Sequence, residues 1–270
     1  MSGKTDPFHI DTTVTPMYIF QSIEIIAEND ISNNKEFENL ALLSGKEISN
    51  QKDLSHILAF IKRLGISTEN FDLTELGQSL YNIMYDDNIL FNNYLHFLFY
   101  SQHSLTGVNN SSWVYKTVVD ELCNYKIVEN IDKNELALKI VELTEHEHEL
   151  HIKGISFRGQ SITPLIDWLY SLDPKCIEGN KTFKTRSFCQ PQLFVLAIDY
   201  LFSIKKINYG SLIRINDEVM NIICKLCVLD TQYFDQCLEL CKNSYEYVNV
   251  SIGWGKHIRL NKKPQLVDIL

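Results

Sequence analysis

The feature that most constrains this fold is a segment at residues 88–103 that is apolar and aromatic on all sides. Its large side chains are Leu90, Phe91, Tyr94, Leu95, Phe97, Leu98, Phe99 and Tyr100. A helix with so little polar surface is predicted to lie buried at the centre of the fold. The chain is 45% hydrophobic and has only 6 Pro and 11 Gly in 270 residues, which favours further helices around that centre.

Amphipathic helical patterns lie on both sides of this central segment. Over residues 36–85 the order of helix, turn, helix, extended segment and helix predicts a winged helix-turn-helix. At the other end, an alternating strand pattern turns at Gly253-Trp254-Gly255 and predicts a terminal β-hairpin.

The predicted fold is therefore mainly α, and a loop after residue 106 divides it. A winged-helix-like N-terminal region, residues 1–106, packs on a helical C-terminal region, residues 107–270, which ends in the hairpin. The segment 190–265 fits a second winged-helix unit, because helices precede the basic hairpin.

Charge is distributed unevenly along the chain, although its net value is −9. Residues 1–150 contain 10 Lys and Arg against 23 Asp and Glu, whereas residues 151–270 contain 15 against 11. A polyanion such as DNA is therefore expected to contact the C-terminal half. The alternative is that these charges only form a solvated surface.

Two sets of polar side chains are candidates for contact with double-stranded DNA. The first follows the predicted helix near residues 49–64 and contains Lys46, Asn50, Lys52, His56, Lys62 and Arg63. The second lies on the terminal hairpin and contains Lys256, Arg259, Lys262 and Lys263. Lys and Arg bind phosphates, and Asn and His reach base edges. The alternative for the first set is a helix that packs on a partner protein or is half buried. The alternative for the second set is a solvated hairpin with Trp254 in the core.

Two clusters of metal-ligand residue types leave a metal-dependent enzyme open as a weaker alternative. The first cluster is Cys224, Cys227, Cys237 and Cys241. If two antiparallel helices carry these thiols, the four could meet at one zinc ion, but their apolar neighbours favour ordinary core residues. The second cluster, His148 and His151, lacks the spacing of a helical zinc hydrolase motif.

The sequence otherwise predicts a protein that is not an enzyme and needs no cofactor. It contains no phosphate-binding glycine loop, nucleophile elbow or dinucleotide fingerprint. No segment reaches the roughly 18 consecutive apolar residues that span a bilayer, and the N-terminus is polar. We therefore expect a cytoplasmic protein without membrane contact, whose 7 cysteines are reduced.

The order of short motifs resembles a bacterial family, the domain-of-unknown-function family four thousand and seven. The motifs that carry the resemblance are Phe8-His9-Ile10-Asp11-Thr12-Thr13-Val14, Asp53-Leu54-Ser55-His56-Ile57 through Phe60 to Gly65-Ile66, Leu73-Thr74-Glu75-Leu76-Gly77, Asp87 with Tyr94-Leu95-His96-Phe97-Leu98, and Thr163-Pro164-Leu165. Two departures are Phe60 in place of the family's Trp and a Gly-Lys pair that is either missing or displaced to Gly45-Lys46. The resemblance implies winged-helix proteins that accompany DNA phosphorothioation and phage-defence systems.

These observations predict a non-enzymatic DNA-binding or adaptor subunit of a bacterial DNA-modification or phage-defence system. Its expected partners are double-stranded DNA and the proteins of that system. The alternative is a protein-interaction scaffold whose acidic N-terminal half docks a basic enzyme partner.

Overall fold

The N-terminal third of the chain folds into short helices that pack on the first one. A computed structural model describes the protein over residues 10–11, 14–51, 54–107, 110–148, 157–179 and 181–270. The first helices are α1 (Pro16–Glu28), α2 (Asn34–Leu43), α3 (Ser55–Arg63) and α4 (Glu75–Ile83). Thr15, Asn33 and Thr74 cap α1, α2 and α4 by accepting backbone N–H groups.

The start of α3 differs from the sequence prediction of one helix from Ser49 onward. Glu47–Asn50 forms a separate 3-10 helix, and α3 begins only at Ser55. Between α3 and α4 the chain makes an isolated antiparallel bridge, Ser67 with Leu73. The winged-helix interpretation of residues 36–85 stays a prediction.

The middle of the chain is built on one long helix. The elements here are α5 (Asn88–Thr106), α6 (Asn110–Tyr125), α7 (Lys133–His148) and α8 (Gly159–Tyr170). Gly107 ends α5 in the left-handed conformation, at φ 71°, which glycine adopts without strain. A small antiparallel sheet follows, with strands β1 (Ile127–Val128), β2 (Ile177–Glu178) and β3 (Thr182–Lys184) in the order β1-β3-β2.

The C-terminal residues form helices and a second three-stranded sheet. The order is α9 (Pro191–Ile204), β4 (Leu212–Arg214), α10 (Asp217–Cys227), a 3-10 turn, α11 (Phe234–Ser244), β5 (Val248–Gly253), β6 (Gly255–Leu260) and α12 (Leu266–Ile269). All pairs are antiparallel, and the strand order is β4-β6-β5. The mainly helical prediction and the terminal hairpin are confirmed.

Helix α5 lies at the centre, as its all-round apolar sequence predicts. It packs against α6 and α9, and one continuous cluster of buried apolar side chains extends from Ile10 to Ile269. Within it the Phe99 ring stacks on Tyr115 at 4.4 Å between centroids, and Trp168 and Phe60 lie at 4.7 and 5.0 Å from Phe99. The two predicted regions of the chain therefore share one core.

Polar groups inside this core are hydrogen-bonded across elements. Arg186, which is 1% exposed, donates through Nε to the Cys227 carbonyl at 3.0 Å. Its Nη1 donates to Asn93 Oδ1 at 3.1 Å and to the Asp173 carbonyl at 3.2 Å. One side chain thus joins α5, the loop after α8 and the end of α10.

His96 on α5 makes a second buried connection. Its Nε2 donates to the Leu226 carbonyl at 2.7 Å, so its Nδ1 accepts from the Tyr115 hydroxyl, also at 2.7 Å. Burial lowers the pKa of His96 from 6.5 to about 3, so the ring is neutral in the folded protein at pH 7.

This depressed pKa predicts a loss of stability in acid. Between pH 6.5 and 3 the unfolded His96 binds a proton that the folded one does not, so the free energy of unfolding falls as pH falls. From pH 7 to pH 5 we expect this group to remove about 2 kcal/mol. Urea unfolding at both pH values should show a steeper decline in the wild type than in His96→Gln. Equal declines would contradict the prediction.

Candidate nucleic-acid interface

The C-terminal sheet has one face on the core and one face in solvent. In the central strand β6, Ile258 and Leu260 are buried, so the alternate residues His257 and Arg259 point to the outer face. The register places Arg214 of β4 opposite His257. The outer face therefore carries two guanidinium groups and an imidazole.

Neither guanidinium is neutralised by a residue that the structure describes. Within the described part of the chain, Arg214 and Arg259 form no ion pair with a carboxylate. The Arg259 Nε atom is buried and, among the described residues, has no hydrogen-bond partner. The flanking residues Leu212 and Asn249, which pair with Arg259, are uncharged. No carboxylate is among the cross-strand partners of the two arginines, so an anion at this face would meet their positive charge.

The tip of the hairpin is apolar and exposed. Trp254 is 99% exposed and Ile252 is 86% exposed. Gly255 turns the chain with φ 114°, a value that L side chains rarely adopt. A Cβ built on Gly255 would lie 3.2 Å from Arg214 Nε, so this guanidinium lies directly beside the turn.

Two of the four predicted hairpin residues form ion pairs. Lys256 Nζ lies 2.6 Å from Asp235 at the start of α11, and Lys262 Nζ lies 2.9 Å from Asp268. Lys262 also lies over the Tyr247 ring at 4.7 Å. Lys263 is exposed. Burial raises the pKa of Asp199, and the positive charge of Lys263 offsets part of that rise. Arg259 lies on the outer face and, among the described residues, has no carboxylate partner.

The N-terminal set is less suited to DNA than the sequence suggested. Lys46 forms an ion pair with Glu24, and Lys62 forms one with Glu69 at 3.3 Å. Asn50 lies on the 3-10 helix rather than on α3, because α3 begins only at Ser55.

Three predicted residues remain in this set. His56 is exposed on α3, and Arg63 lies in the last turn of α3, where its carbonyl accepts a hydrogen bond from Gln102. Lys52 lies outside the described residues. The ion pairs of Lys46 with Glu24 and of Lys62 with Glu69 therefore reduce the positive charge that the sequence predicts near α3.

Arg214 was not among the predicted site residues. Its strand, β4, is three residues long and alternates exposed, buried and exposed. Only the pairing with β6 brings it to the hairpin, and so short a pattern does not predict that pairing. The sequence allows Trp254 either at an exposed hairpin tip or in the core, and the structure places it in solvent.

The four cysteines of the zinc alternative are core residues. Cys224, Cys227, Cys237 and Cys241 are all buried, and burial raises the pKa of Cys224, Cys227 and Cys241. Hydrogen bonding to Cys189 is the largest cause of the raised pKa of Cys237. Over the described ranges no group of His, Cys, Asp or Glu side chains is placed to hold a metal ion.

The side chain of His148 and all of His151 lie outside the described part of the chain. Among the helices that the structure describes, none has the length and apolar character needed to cross a bilayer.

Comparison of the chain with family models, with curated proteins and with solved structures finds no match. The resemblance to the family named above stays a prediction.

Proposed function

We propose that the protein is a non-enzymatic DNA-binding subunit that contacts duplex DNA through its C-terminal sheet. As the family resemblance implies, we place it in a bacterial DNA-modification or phage-defence system. The observation that carries the proposal is the pair of free guanidinium groups, Arg214 and Arg259, on one outer face. Arginine suits phosphate because its planar fork donates two parallel hydrogen bonds.

A winged-helix assignment of the C-terminal unit supports this proposal. Residues 191–260 follow the order helix, strand, helix, helix and hairpin, and the first strand lies beside the last. In winged-helix proteins this order places a helix and a hairpin on one DNA-binding side. The unit is also in the half of the chain with a positive net charge.

The helix that enters the major groove in many such proteins is poorly suited to do so here. The corresponding helix, α11, exposes Asp235 and Glu239, and phosphates would repel both carboxylates. Ion pairs with Lys256 and Lys242 neutralise them but add no net positive charge. We therefore place the principal contact on the outer face of the sheet and on the hairpin.

Loss of both free guanidinium groups is expected to weaken DNA binding. At about 50 mM salt, Arg214→Ala/Arg259→Ala should bind a fluorescein-labelled duplex about tenfold or more weakly than wild type by anisotropy. Two lost phosphate contacts should also reduce the slope of log K against log salt by about 2. The weakening should be similar across duplex sequences, because phosphate contacts carry no sequence information.

Glu239→Gln and Lys184→Ala are the matched controls for this experiment. Glu239 is on α11, and Lys184 is an exposed cation on β3, which belongs to the other sheet. Glu239→Gln should leave affinity unchanged or raise it slightly, and Lys184→Ala should leave it unchanged. If wild-type protein does not bind duplex DNA at about 50 mM salt, the proposed function is wrong.

A protein-interaction scaffold is the second candidate, and one observation favours it. An acidic hollow between α1, α2 and the segment before α4 is lined by Glu28, Asp30, Glu36 and Asp72. A basic partner protein would find complementary charge there. A stoichiometric complex that Glu28→Lys/Asp30→Lys abolishes, with no DNA affinity in the isolated chain, would favour this function.

A further inference from the structure

The hairpin tip carries apolar surface that the core does not use. Val248, Val250 and Ile252 lie on the inner face of β5, and their exposure rises along the strand until Ile252 is 86% exposed. Trp254 follows at the turn and is 99% exposed. Large apolar side chains held in water cost free energy, so a projecting Trp and Ile indicate a site that becomes covered on binding.

Positive charge lies beside this apolar tip. The Arg214 guanidinium, which forms no ion pair with a described residue, is next to the Gly255 backbone. Lys256 is directly opposite Ile252 across the hairpin, but its charge and that of Asp235 neutralise each other. The surroundings of the tip thus match a polyanion that can also receive an aromatic ring.

Resting on the proposed DNA contact, we propose that Trp254, assisted by Ile252, is an apolar wedge that enters the minor groove and unstacks one base step. A two-stranded hairpin narrows to a single side chain at its tip, which suits a groove about 6 Å wide. Apolar wedges of this kind kink duplex DNA by about 20–90°. The Arg214 guanidinium beside the turn is then placed to bind a phosphate next to the kinked step.

Other partners fit the tip less well. A stable protein interface buries about 800 Å² on each side, which two side chains at the end of a ribbon do not supply. Anchoring in a bilayer takes a longer apolar surface than one Trp and one Ile. A stack of bases, by contrast, forms a favourable contact with a single aromatic ring.

The experiment measures DNA affinity and DNA shape separately. Wild type, Trp254→Ala and Trp254→Phe are titrated against a duplex of about 30 base pairs that carries a donor and an acceptor at its ends. Wild type should raise energy transfer between the ends. Trp254→Ala should abolish that rise and weaken binding about tenfold, as loss of one stacking contact predicts. Trp254→Phe should restore most of the rise.

The outcomes separate the wedge from the proposed function. If wild type binds DNA and Trp254→Ala kinks it equally, the wedge is wrong while DNA binding stands. If wild type does not bind DNA, both are wrong. Binding to phosphatidylcholine–phosphatidylserine vesicles that requires Trp254, in the absence of DNA binding, would overturn both in favour of a membrane surface. Because Trp254 has no buried contacts to lose, its variants should melt like wild type.

Discussion

Replacing Arg186 with Met is expected to lower the free energy of unfolding by about 3–5 kcal/mol. The guanidinium satisfies two buried acceptors, the Cys227 carbonyl and Asn93 Oδ1, and also the partly buried Asp173 carbonyl. Methionine fills a similar volume but leaves these acceptors without donors, and each buried unsatisfied group costs about 1–3 kcal/mol. Urea unfolding monitored by circular dichroism measures the loss.

Two further variants test the reason for this loss. Lys184→Met removes an exposed cation two residues earlier and should change stability by less than about 0.5 kcal/mol. Arg186→Lys keeps the charge but not the planar fork, so it should recover only part of the stability. An Arg186→Met protein within 1 kcal/mol of wild type would show that the hydrogen bonds have little net value.

Replacing Phe99 with Ala is expected to cost a similar 3–5 kcal/mol, for a different reason. Phe99 is fully buried and its ring touches three other aromatic residues, Tyr115, Trp168 and Phe60. Truncation removes apolar area and leaves a cavity that the surrounding helices cannot fill completely. The same unfolding experiment measures the effect.

The control for Phe99 is an aromatic residue of the same chain outside the core. Tyr125 at the end of α6 is exposed, so Tyr125→Ala should be close to neutral. Phe99→Leu, which keeps most of the volume, should fall between Phe99→Ala and wild type. If Phe99→Ala and Tyr125→Ala were equally mild, the central place of α5 in the core would be in doubt.

The position of α5 could be predicted because its own sequence carries apolar and aromatic side chains on every side of the helix. Helix ends were also predictable where a capping side chain was present, as at Thr74. The division between the 3-10 helix and α3 was not predictable, since a run of helix-forming residues continues across it. Arg186 could not be assigned to the core, because a cationic side chain is buried only when distant carbonyls supply its partners.

The candidate site shows the same contrast. The hairpin and its turn followed from an alternating pattern and two glycines, and the structure bears them out. The ion pairs that neutralise Lys46 and Lys256 involve residues 22 and 21 positions away, and sequence spacing does not reveal such contacts. Arg214 reaches the site through strand pairing, so its role emerged only from the fold.

The buried partners of α5 bear on how this protein is synthesised. The hydrogen bond from His96 Nε2 is accepted by the Leu226 carbonyl, which lies 130 residues later in the chain. At about 5–20 residues per second, the ribosome makes that partner on the order of ten seconds after the helix itself. During that interval the apolar and aromatic side chains of α5 lack residues that bury them in the folded protein. The nascent chain is therefore expected to bind chaperones that shield such segments.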